Sequence, residues 1–380
     1  MKRLLLIGAG HAHAQVLRDW LAAPVPGCEV IVVSPSALAP YSGMVPGWLA
    51  GHYRFDQICI NFEALAAAAG AQLLTDELAS LDPNRRRVSL RSGTALDYDL
   101  LSLNVGSTLT PPAPQPGMRV LSMRPLGELR MALEAVLSDP ALSAGDQPLR
   151  VAAIGGGAAG VESLLATLTC FRSLQPGRTV QGRLISRGDS LLPDMAPGAA
   201  RAIHAALTAA GVSVQLNTSC TDSAAAGCDL LLWATGAQAH AWQRDCGLAL
   251  SERGFIRVDE HLRCVSHPHV YAVGDCAEWT TPLPKAGVFA VRMGPVLSHN
   301  LRAALQAGVP RAYSPQRRFL ALLSTADGRA IASWGSWSAQ GRWVWRWKDH
   351  IDRAFLQRFA VVTPTPLPAP TSLPLPGDTA

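Results

Sequence analysis

The sequence predicts an α/β protein built on parallel βαβ units, and three observations lead to this fold class. Two segments each run from a basic residue through a short apolar strand and a glycine cluster into a helix with apolar periodicity. Each helix is followed by another apolar run, as a parallel βαβ unit requires. The segments begin about 150 residues apart, which indicates a duplicated unit rather than a short repeat.

The first unit has an incomplete glycine pattern. Its predicted elements are a strand at 3–7, a glycine turn at 8–10, a helix over 11–22 and a strand at 29–33. Gly8 and Gly10 are present, but His13 stands at the third position of the G-x-G-x-x-G turn, where glycine allows close packing of helix on sheet. Ser34 follows the second strand, where an acidic ribose ligand is expected. Taken alone, this unit leaves nucleotide binding open.

The second unit has the complete pattern. Its predicted elements are a strand at 150–154, a glycine turn at 155–160, a helix to about residue 171 and a strand at 183–185. Gly155, Gly157 and Gly160 stand between strand and helix and are followed by Glu162. Glycine at such a turn lets a pyrophosphate approach the free N–H groups and partial positive charge of the helix N-terminus. We expect a dinucleotide site here, with a tight turn that binds no ligand as the alternative.

Further strands carry two other signals. They are predicted at 71–75, 88–91, 100–104, 212–216 and 230–235. The last of these ends in Ala-Thr-Gly at Gly236, and a later strand ends in Gly274 and Asp275 after a hairpin-like segment at 255–259. An aspartate at such a strand end can accept hydrogen bonds from polyol hydroxyls, although a plain turn aspartate is the alternative.

Length and composition exclude several classes of protein. The 380 residues suit two domains, and 48% hydrophobic residues are enough for buried cores. A net charge of +5 is too small to indicate nucleic-acid binding. The eight cysteines include no C-x-x-C pair, which argues against a zinc ribbon, a disulfide scaffold and a dithiol redox motif. His11 and His13 point to different helix faces, so no metal site is expected.

The N-terminus imitates a signal peptide. An apolar run at 4–7 follows Met-Lys-Arg, and Ala12-His13-Ala14 resembles a cleavage site. Cleavage there would delete a strand and its glycine turn, and no apolar run reaches the roughly 18–20 residues of a membrane span. We expect a cytoplasmic protein, with peripheral contact to the inner membrane face as an open alternative.

These features together resemble a family of flavoproteins. Two G-x-G-x-x-G-like units, an Ala-Thr-Gly between them and a late Val-Gly-Asp are similar to the two-dinucleotide-binding-domain flavoproteins of the pyridine nucleotide–disulfide oxidoreductase superfamily, which includes type II NADH dehydrogenases. Four segments more specifically resemble the FAD-containing domain often fused N-terminally to selenide, water dikinase: GAGHAHAQVL at 8–17, PYSGMVPGWLAGHY at 40–53, PKAGVFAVRMGPVL at 284–297 and PQRRFLALLSTADGRAIASWG at 315–335. The likeness covers residues 3–360, and the first-unit His and Ser are usual in that subgroup.

The resemblance implies two Rossmann-like dinucleotide-binding domains, an FAD domain with an inserted NAD(P) domain, plus a C-terminal region. The predicted bounds are 1–117 and 256–305 for the FAD-binding domain, 118–255 for the NAD(P)-binding domain, 306–360 for a C-terminal interface or membrane-contact region and 361–380 for a Pro-rich tail. Residues 111–117 and 139–148 are predicted as connections.

The resemblance also assigns cofactor contacts. Relatives bind FAD through the first glycine turn and the late Gly-Asp, and the loop at 41–47 matches the segment beside their isoalloxazine, where we expect a rigid loop. Met293 stands where type II dehydrogenases carry a Gln of their quinone motif, which argues against assuming a quinone acceptor. The predicted cofactor-binding residues are Gly8, Gly10, His11, Ser34, Pro40, Tyr41, Ser42, Gly43, Gly106, Gly155, Gly157, Gly160, Ser186, Arg187, Gly236, Gly274, Asp275, Lys285, Gly287, Val288 and Phe289.

Two positions concern the pyridine nucleotide. Glu162 matches the glutamate that relatives use to orient the nicotinamide amide, and it is the predicted catalytic residue. A solvated first-turn glutamate favoured by the helix dipole is the alternative. Ser186 and Arg187 replace the acid that binds an NAD ribose. Because a hydroxyl plus an arginine suits a 2′-phosphate, both NADPH and NADH are candidate co-substrates, and an uninvolved surface arginine is the alternative.

The C-terminal region predicts an amphipathic aromatic helix. Its i,i+4 stripe consists of Trp343, Trp347, Ile351, Phe355 and Phe359, and the basic residues expected outside the stripe are Arg342, Arg346, Lys348, Arg353 and Arg358. Tryptophan and arginine on such a helix favour a membrane headgroup boundary at 342–359. Packing on the flavin domain itself or on a second copy of the chain in a homodimer is the alternative.

The expected function is that of an FAD-dependent NAD(P)H oxidoreductase, in which hydride passes from nicotinamide to flavin N5 and then to a quinone or another small acceptor. A flavoprotein reductase acting in selenium metabolism with selenide, water dikinase is one alternative. A non-catalytic nucleotide-binding partner protein is the other.

Overall fold

The computed structural model describes residues 1–220 and 227–361, and all but Val361 of the predicted tail lies outside these residues. The strands are β1 (Lys2–Ile7), β2 (Cys28–Ser34), β3 (Leu38–Pro40), β4 (Cys59–Asn61), β5 (Gln72–Thr75), β6 (Leu78–Asp82), β7 (Arg87–Leu90), β8 (Ala95–Asp97), β9 (Leu100–Leu103), β10 (Arg119–Ser122), β11 (Leu149–Ile154), β12 (Val180–Ile185), β13 (Val212–Gln215), β14 (Leu230–Trp233), β15 (Ile256–Arg257), β16 (Val270–Ala272), β17 (Ala277–Glu278), β18 (Ala321–Ser324), β19 (Ala330–Trp334) and β20 (Trp337–Gly341). The helices are α1 (His11–Ala22), α2 (Val45–Leu49), α3 (Phe62–Ala68), α4 (Leu129–Leu137), α5 (Pro140–Ser143), α6 (Ala158–Leu174), α7 (Pro197–Ala209), α8 (Gly287–Gln306) and α9 (Arg342–Gln357).

A parallel sheet in the order β16-β9-β1-β2-β5 forms the first unit. Leu4, Leu6 and Val32 lie on the face that packs against α1 and α8. Leu5 and Ile7 lie on the other face, against the β6–β8 meander and the chain around β15 and β17. Both faces are covered, which explains why the strands read as continuous apolar runs rather than as alternating patterns. The sheet draws its strands from before residue 104 and after residue 269.

The second parallel sheet has the order β10-β14-β11-β12-β13. All of its strands lie between Arg119 and Trp233. Helix α6 packs on this sheet and is itself covered by α2 from the first unit and by the C-terminal sheet β18-β19-β20. In both sheets the strand order reverses beside the first strand of the unit, between β1 and β9 and between β11 and β14. Ligands of open α/β sheets bind at the carboxyl ends of strands at such reversals.

Three differences from the sequence predictions concern two predicted loops and the C-terminal region. The 41–47 segment is not a loop: it forms a 3₁₀ turn at Ser42–Met44 and then α2, whose first turn accepts Pro46 because no backbone donor is needed there. The 139–148 connection contains α5, capped by the Asp139 carboxylate, which accepts from the Ala141 N–H at 3.0 Å. The antiparallel C-terminal sheet was not predicted, because its strands lack a clear alternation of apolar and polar residues.

His13 explains how the first unit folds without its third glycine. The side chain is fully buried beneath α1. Its Nδ1–H donates to the Gly8 carbonyl oxygen at 2.7 Å, and its Nε2 accepts from the Ser102 hydroxyl at 2.8 Å. Two hydrogen bonds thus join helix to sheet where glycine would allow direct contact. Burial lowers the pKa of His13 from 6.5 to about 4, so the ring is neutral at pH 7.

Acidification is expected to destabilise the protein through His13. Its pKa is lower in the folded state, so the unfolded chain binds the extra proton between about pH 6.5 and pH 4 and stability is lost as the pH falls through this window. The contribution of His13 should fall by about 2 kcal/mol between pH 7 and pH 5. Urea denaturation at both pH values measures it. His13→Gln should show a weaker pH dependence than His204→Gln, which changes an exposed histidine of α7. Equal pH dependence in the two variants would contradict this assignment.

Candidate functional site: two nucleotide turns and a buried charge cluster

The second glycine turn lies at the reversal between β11 and β14. Gly155 has φ +128°, and a Cβ there would overlap the Ala234 carbonyl oxygen at the end of β14. A Cβ at Gly160 would overlap the Gly155 carbonyl oxygen. At Gly157, the residue that precedes α6, a Cβ would meet nothing within 4 Å, and no side chain caps the helix there. The turn is therefore tightly packed against the end of β14 at Gly155 and against its own backbone at Gly160. It is open at the helix N-terminus, which fits a bound pyrophosphate.

The predicted ribose-side residues lie at the carboxyl end of β12. Ser186 is buried, and its hydroxyl oxygen accepts from the Gly188 N–H at 3.2 Å. A Cβ at Gly156 would stand 2.5 Å from the same hydroxyl, so Ser186 borders the glycine turn. Arg187 is exposed beside it, and Gly236 lies just beyond β14. The structure places Ser186 against the glycine turn, and the nucleotide contacts of these residues and the preference between NADH and NADPH stay predictions.

Asn104, which the sequence analysis did not single out, organises the first glycine turn. Its Oδ1 accepts from the N–H groups of Ala12 at 3.1 Å and His13 at 3.4 Å, so it caps α1 from a distant strand. Its Nδ2 donates to the Val273 carbonyl oxygen at 3.1 Å, after β16. A Cβ at Gly10 would overlap the Asn104 amide, so this glycine is required by the cap. The sequence does contain a signal for Asn104, because it is a polar residue at the end of a buried strand that lies beside the reversal of strand order.

Asp275 is held by an arginine from the start of the second unit. The Arg124 guanidinium contacts the Asp275 carboxylate and the Ser107 hydroxyl, and its Nη2 donates to the Lys285 carbonyl oxygen at 3.2 Å. Lys285 is half-buried, its ammonium lies 3.7 Å from the centre of the Phe255 ring, and burial lowers its pKa. Arg124 is a second residue that the sequence analysis missed. The two cations near the first turn suit the negative charge of a dinucleotide.

The remaining residues that are predicted to contact FAD lie on α1, at the end of β2, in the 40–43 segment and at the start of α8. His11, at the first position of α1, has ring neighbours in Tyr41 at 5.5 Å and Phe355 at 5.8 Å. Burial lowers its pKa to about 4, with Asp275 acting in the opposite direction, so His11 is neutral at pH 7. Ser42 borders Gly287 at the start of α8, followed by Val288 and the buried Phe289. Gly43 follows Pro40 and Tyr41, and Ser34 donates its hydroxyl to the Ser36 carbonyl oxygen at 2.8 Å.

The carboxyl end of β9 leaves room beside the first turn. Gly106 follows Asn104 there with φ +72°, and a Cβ on it would meet nothing within 4 Å. The strand end, the capped helix N-terminus and the Asp275–Arg124 pair thus lie around one accessible edge of the sheet. These features fit a bound FAD.

A buried charge cluster connects Glu162 to the C-terminal region. Glu162 is 8% exposed, which contradicts the solvated alternative, and its Oε1 accepts from the Ser324 N–H of β18 at 2.7 Å. Burial raises its pKa to about 7, with the Lys348 charge acting in the opposite direction. Lys348 was predicted outside the aromatic stripe of its helix, with the other basic residues, but unlike Arg342 and Arg346 it is buried. It donates to Asp352 at 2.6 Å and to the Gly43 carbonyl oxygen at 2.5 Å.

Asp352 continues the cluster toward the first turn. Burial raises its pKa, and it accepts a hydrogen bond from the Tyr41 hydroxyl. The cluster therefore joins α6 of the second unit, the segment beside the first turn and α9. The position of Glu162 relative to a nicotinamide stays a prediction.

Comparison with known proteins identifies the family. Residues 2–294 match the family described as pyridine nucleotide-disulphide oxidoreductase. An NADH dehydrogenase-like protein of Mycobacterium tuberculosis is 26% identical over 302 residues, covering 73% of this chain and 73% of the relative. A type II NADH:quinone oxidoreductase of Haemophilus influenzae is 27% identical over 150 residues, covering 35% of this chain and 34% of the relative. The solved sulfide:quinone oxidoreductase of Aquifex aeolicus has a TM-score of 0.75 at 15% identity, over 94% of this chain and 91% of that chain.

The chain belongs to the pyridine nucleotide-disulphide oxidoreductase family. The comparisons confirm the fold class, the enzyme class and the cofactors: this family member is an oxidoreductase that binds FAD and uses NADH or NADPH as co-substrate. The non-catalytic alternative is therefore not retained.

Gly157→Ala separates nucleotide binding from folding. The Cβ has open space in the folded protein, so stability should change by less than about 1 kcal/mol. The methyl group would stand where the pyrophosphate approaches, so the affinity for NAD(P)H should fall about tenfold or more. Nucleotide titration and thermal denaturation of the holoenzyme measure both. Gly160→Ala is the contrasting control, because its Cβ would overlap backbone and the fold should be lost. An unchanged nucleotide affinity in Gly157→Ala would contradict this assignment.

Proposed function

We propose that this family member passes the electrons of NAD(P)H to a quinone that it meets at a membrane surface. The observation that carries the proposal is an exposed aromatic surface on the C-terminal region. We call it the tryptophan face; its members are Trp334, Trp337, Trp343, Trp347 and Ile351, each at least 36% exposed. A similar protein reported above is named as an NADH:quinone oxidoreductase, which supports the same acceptor class although Met293 replaces the Gln of the type II quinone motif.

The tryptophan face combines two elements of the C-terminal region. Trp334 and Trp337 flank the turn between β19 and β20, and Trp343 and Trp347 lie on α9 with their rings stacked at 6.3 Å. Arg342 and Arg346 are exposed and directly precede Trp343 and Trp347 in the sequence. Large aromatic rings edged by cations favour the headgroup region of an anionic membrane. Among the described helices, none is long and apolar enough to cross a membrane.

The predicted aromatic stripe divides into two parts along α9. Phe355 and Phe359 are buried, and they pack against the first unit, where the Phe355 ring lies 4.5 Å from the ring of Tyr41. Trp343 and Trp347 remain exposed at the other end of the helix. One end of the stripe thus anchors the helix to its own protein, and the other end is available to a surface.

The buried cluster supports the chemistry of quinone reduction. The overall reaction consumes one NAD(P)H, one proton and one quinone and yields NAD(P)⁺ and one quinol, so one proton must enter in addition to the hydride. Bound FAD would supply the two-electron redox chemistry between nicotinamide and acceptor. Glu162 can hold that proton near pH 7, because burial raises its pKa to about 7. Lys348 and Asp352 form an ion pair near Glu162, and the positive charge of Lys348 acts to lower the pKa of Glu162.

Membrane contact is tested by co-sedimentation with vesicles that contain an anionic phospholipid. The wild-type holoenzyme should pellet with the vesicles, and Trp343→Ser combined with Trp347→Ser should release most of it. The same variant should raise the KM for a membrane-dissolved quinone without changing reduction by NAD(P)H. Val309→Ser, which removes an 83% exposed apolar side chain elsewhere, is the control. Absence of lipid-dependent pelleting in the wild type would exclude the membrane surface.

The proton-holding role of Glu162 is tested by Glu162→Gln. The wild-type rate of quinone reduction should fall as the pH rises through about 7, where the carboxyl loses its proton. The variant should lose this inflection and turn over about 100-fold more slowly, with full FAD content. Glu134→Gln, an exposed glutamate of α4, is the control. Retention of the inflection would contradict the role, and a defect confined to reduction by NAD(P)H would favour nicotinamide orientation instead.

The alternative role in selenium metabolism stays a prediction. It requires NAD(P)H-dependent reduction of a selenium substrate or binding to selenide, water dikinase. Purified holoenzyme that shows neither would remove this alternative.

A further inference from the structure

A short segment, residues 41–43, lies between the N-termini of α1 and α8. On one side, the ring of Tyr41 meets the ring of His11, the first residue of α1, at 5.5 Å between the ring centres. On the other side, a Cβ on Gly287, the first residue of α8, would stand 2.8 Å from the Ser42 hydroxyl oxygen. The position of the segment therefore limits the space between the two helix N-termini, beside the edge of the sheet whose features fit a bound FAD.

Helix α9 holds the 41–43 segment through two buried side chains. Lys348 is 7% exposed, and its ammonium donates to the Gly43 carbonyl oxygen at 2.5 Å. Asp352 is 5% exposed, and its carboxylate accepts a hydrogen bond from the Tyr41 hydroxyl. The ammonium also donates to the carboxylate at 2.6 Å, so the two contacts are linked. The segment is thus attached to α9 at both its first and its last residue.

The Lys348–Asp352 pair is a weak source of stability. The cost of removing two charges from water offsets most of their attraction, so a buried ion pair adds little to the free energy of folding. The same cost is visible at Asp352, because burial raises the pKa of its carboxyl. Both groups also bond to the 41–43 segment, so the pair fixes the position of that segment relative to α9.

The same helix carries a second contact between a tyrosine and an aspartate, which provides an internal comparison. Asp349 accepts from the Tyr53 hydroxyl at 2.6 Å and pairs with Arg353 at 2.8 Å. Asp349 is only partly buried, and Tyr53 follows α2, outside the 41–43 segment. The two contacts share their chemistry and their helix, but that of Asp352 reaches the segment between the two helix N-termini.

We propose that Asp352 and Lys348 are positioning residues for FAD: they hold the 41–43 segment between the N-termini of α1 and α8, and tight binding of FAD depends on that position. Their effect on the cofactor passes through the segment that they hold. The inference concerns the retention of FAD and is independent of the proposed quinone reaction.

The test is the rate at which the purified holoenzyme releases FAD after dilution, followed by the fluorescence of free FAD. Asp352→Asn and Lys348→Met should each release FAD about tenfold faster or more, because each variant breaks the ion pair that holds the 41–43 segment. The visible circular dichroism of the flavin that stays bound should also change. Asp349→Asn is the matched control, and it should leave both the release rate and the flavin spectrum unchanged.

A double variant separates positioning from stability. Lys348→Met combined with Asp352→Leu leaves neither charge of the pair unpaired, so its thermal midpoint should lie above that of either single variant. Its FAD release should nevertheless stay fast, because Gly43 and Tyr41 lose the same partners. Release at the wild-type rate in both single variants, equal acceleration in Asp349→Asn, or recovery of FAD retention together with stability in the double variant would each overturn the proposal. No electron acceptor is present, so failure here is distinct from failure of the quinone reaction.

Discussion

The three hydrogen bonds of the Asn104 side chain are the constraint on which the first nucleotide turn depends. Two of them cap the first turn of α1, and the third holds the end of β16, so one amide sets the spacing of a helix and two strands. The first fingerprint lacks its third glycine, and His13 fills the gap beneath the same helix. In the first unit, Asn104 at the N-terminus of α1 and His13 beneath the helix together take the place of the third glycine, which packs helix against turn in the second unit.

Charged side chains connect segments of the molecule that are far apart in the sequence. Arg124 reaches from the start of the second unit to Asp275 in the first, and Lys348 reaches from α9 to Gly43. Buried ion pairs add little net stability, but removing one partner typically costs about 3–5 kcal/mol because the other charge is left unpaired. Such pairs therefore fix relative positions, and here the Arg124–Asp275 and Lys348–Asp352 pairs both lie beside the first nucleotide turn.

Sequence reasoning predicted the strands and helices of both βαβ units because each strand is a short apolar run, buried on two faces, that leads into a glycine turn and an apolar helix. The 11–22 helix and α1 have the same ends, and the second-unit helix runs only a few residues past its predicted end. The same reasoning failed where tertiary contacts decide the outcome. The spacing along α9 places Lys348 outside the aromatic stripe with the other basic residues, yet other elements pack over this part of the helix and bury the side chain. Arg124 carried no local signal at all, because its partner lies 151 positions along the chain.

The divided stripe of α9 shows why an amphipathic pattern does not by itself choose between a membrane and the protein interior. Phe355 and Phe359 satisfy their hydrophobicity against the first unit, so they cannot also enter a bilayer. The exposed rings of the tryptophan face have no such cover within the described residues, and they come from two elements whose positions are fixed by the same anchored helix. Within α9, the proposed membrane contact therefore depends on the exposed end of the helix alone, and buried Lys348 connects that helix to the segment beside the first nucleotide turn.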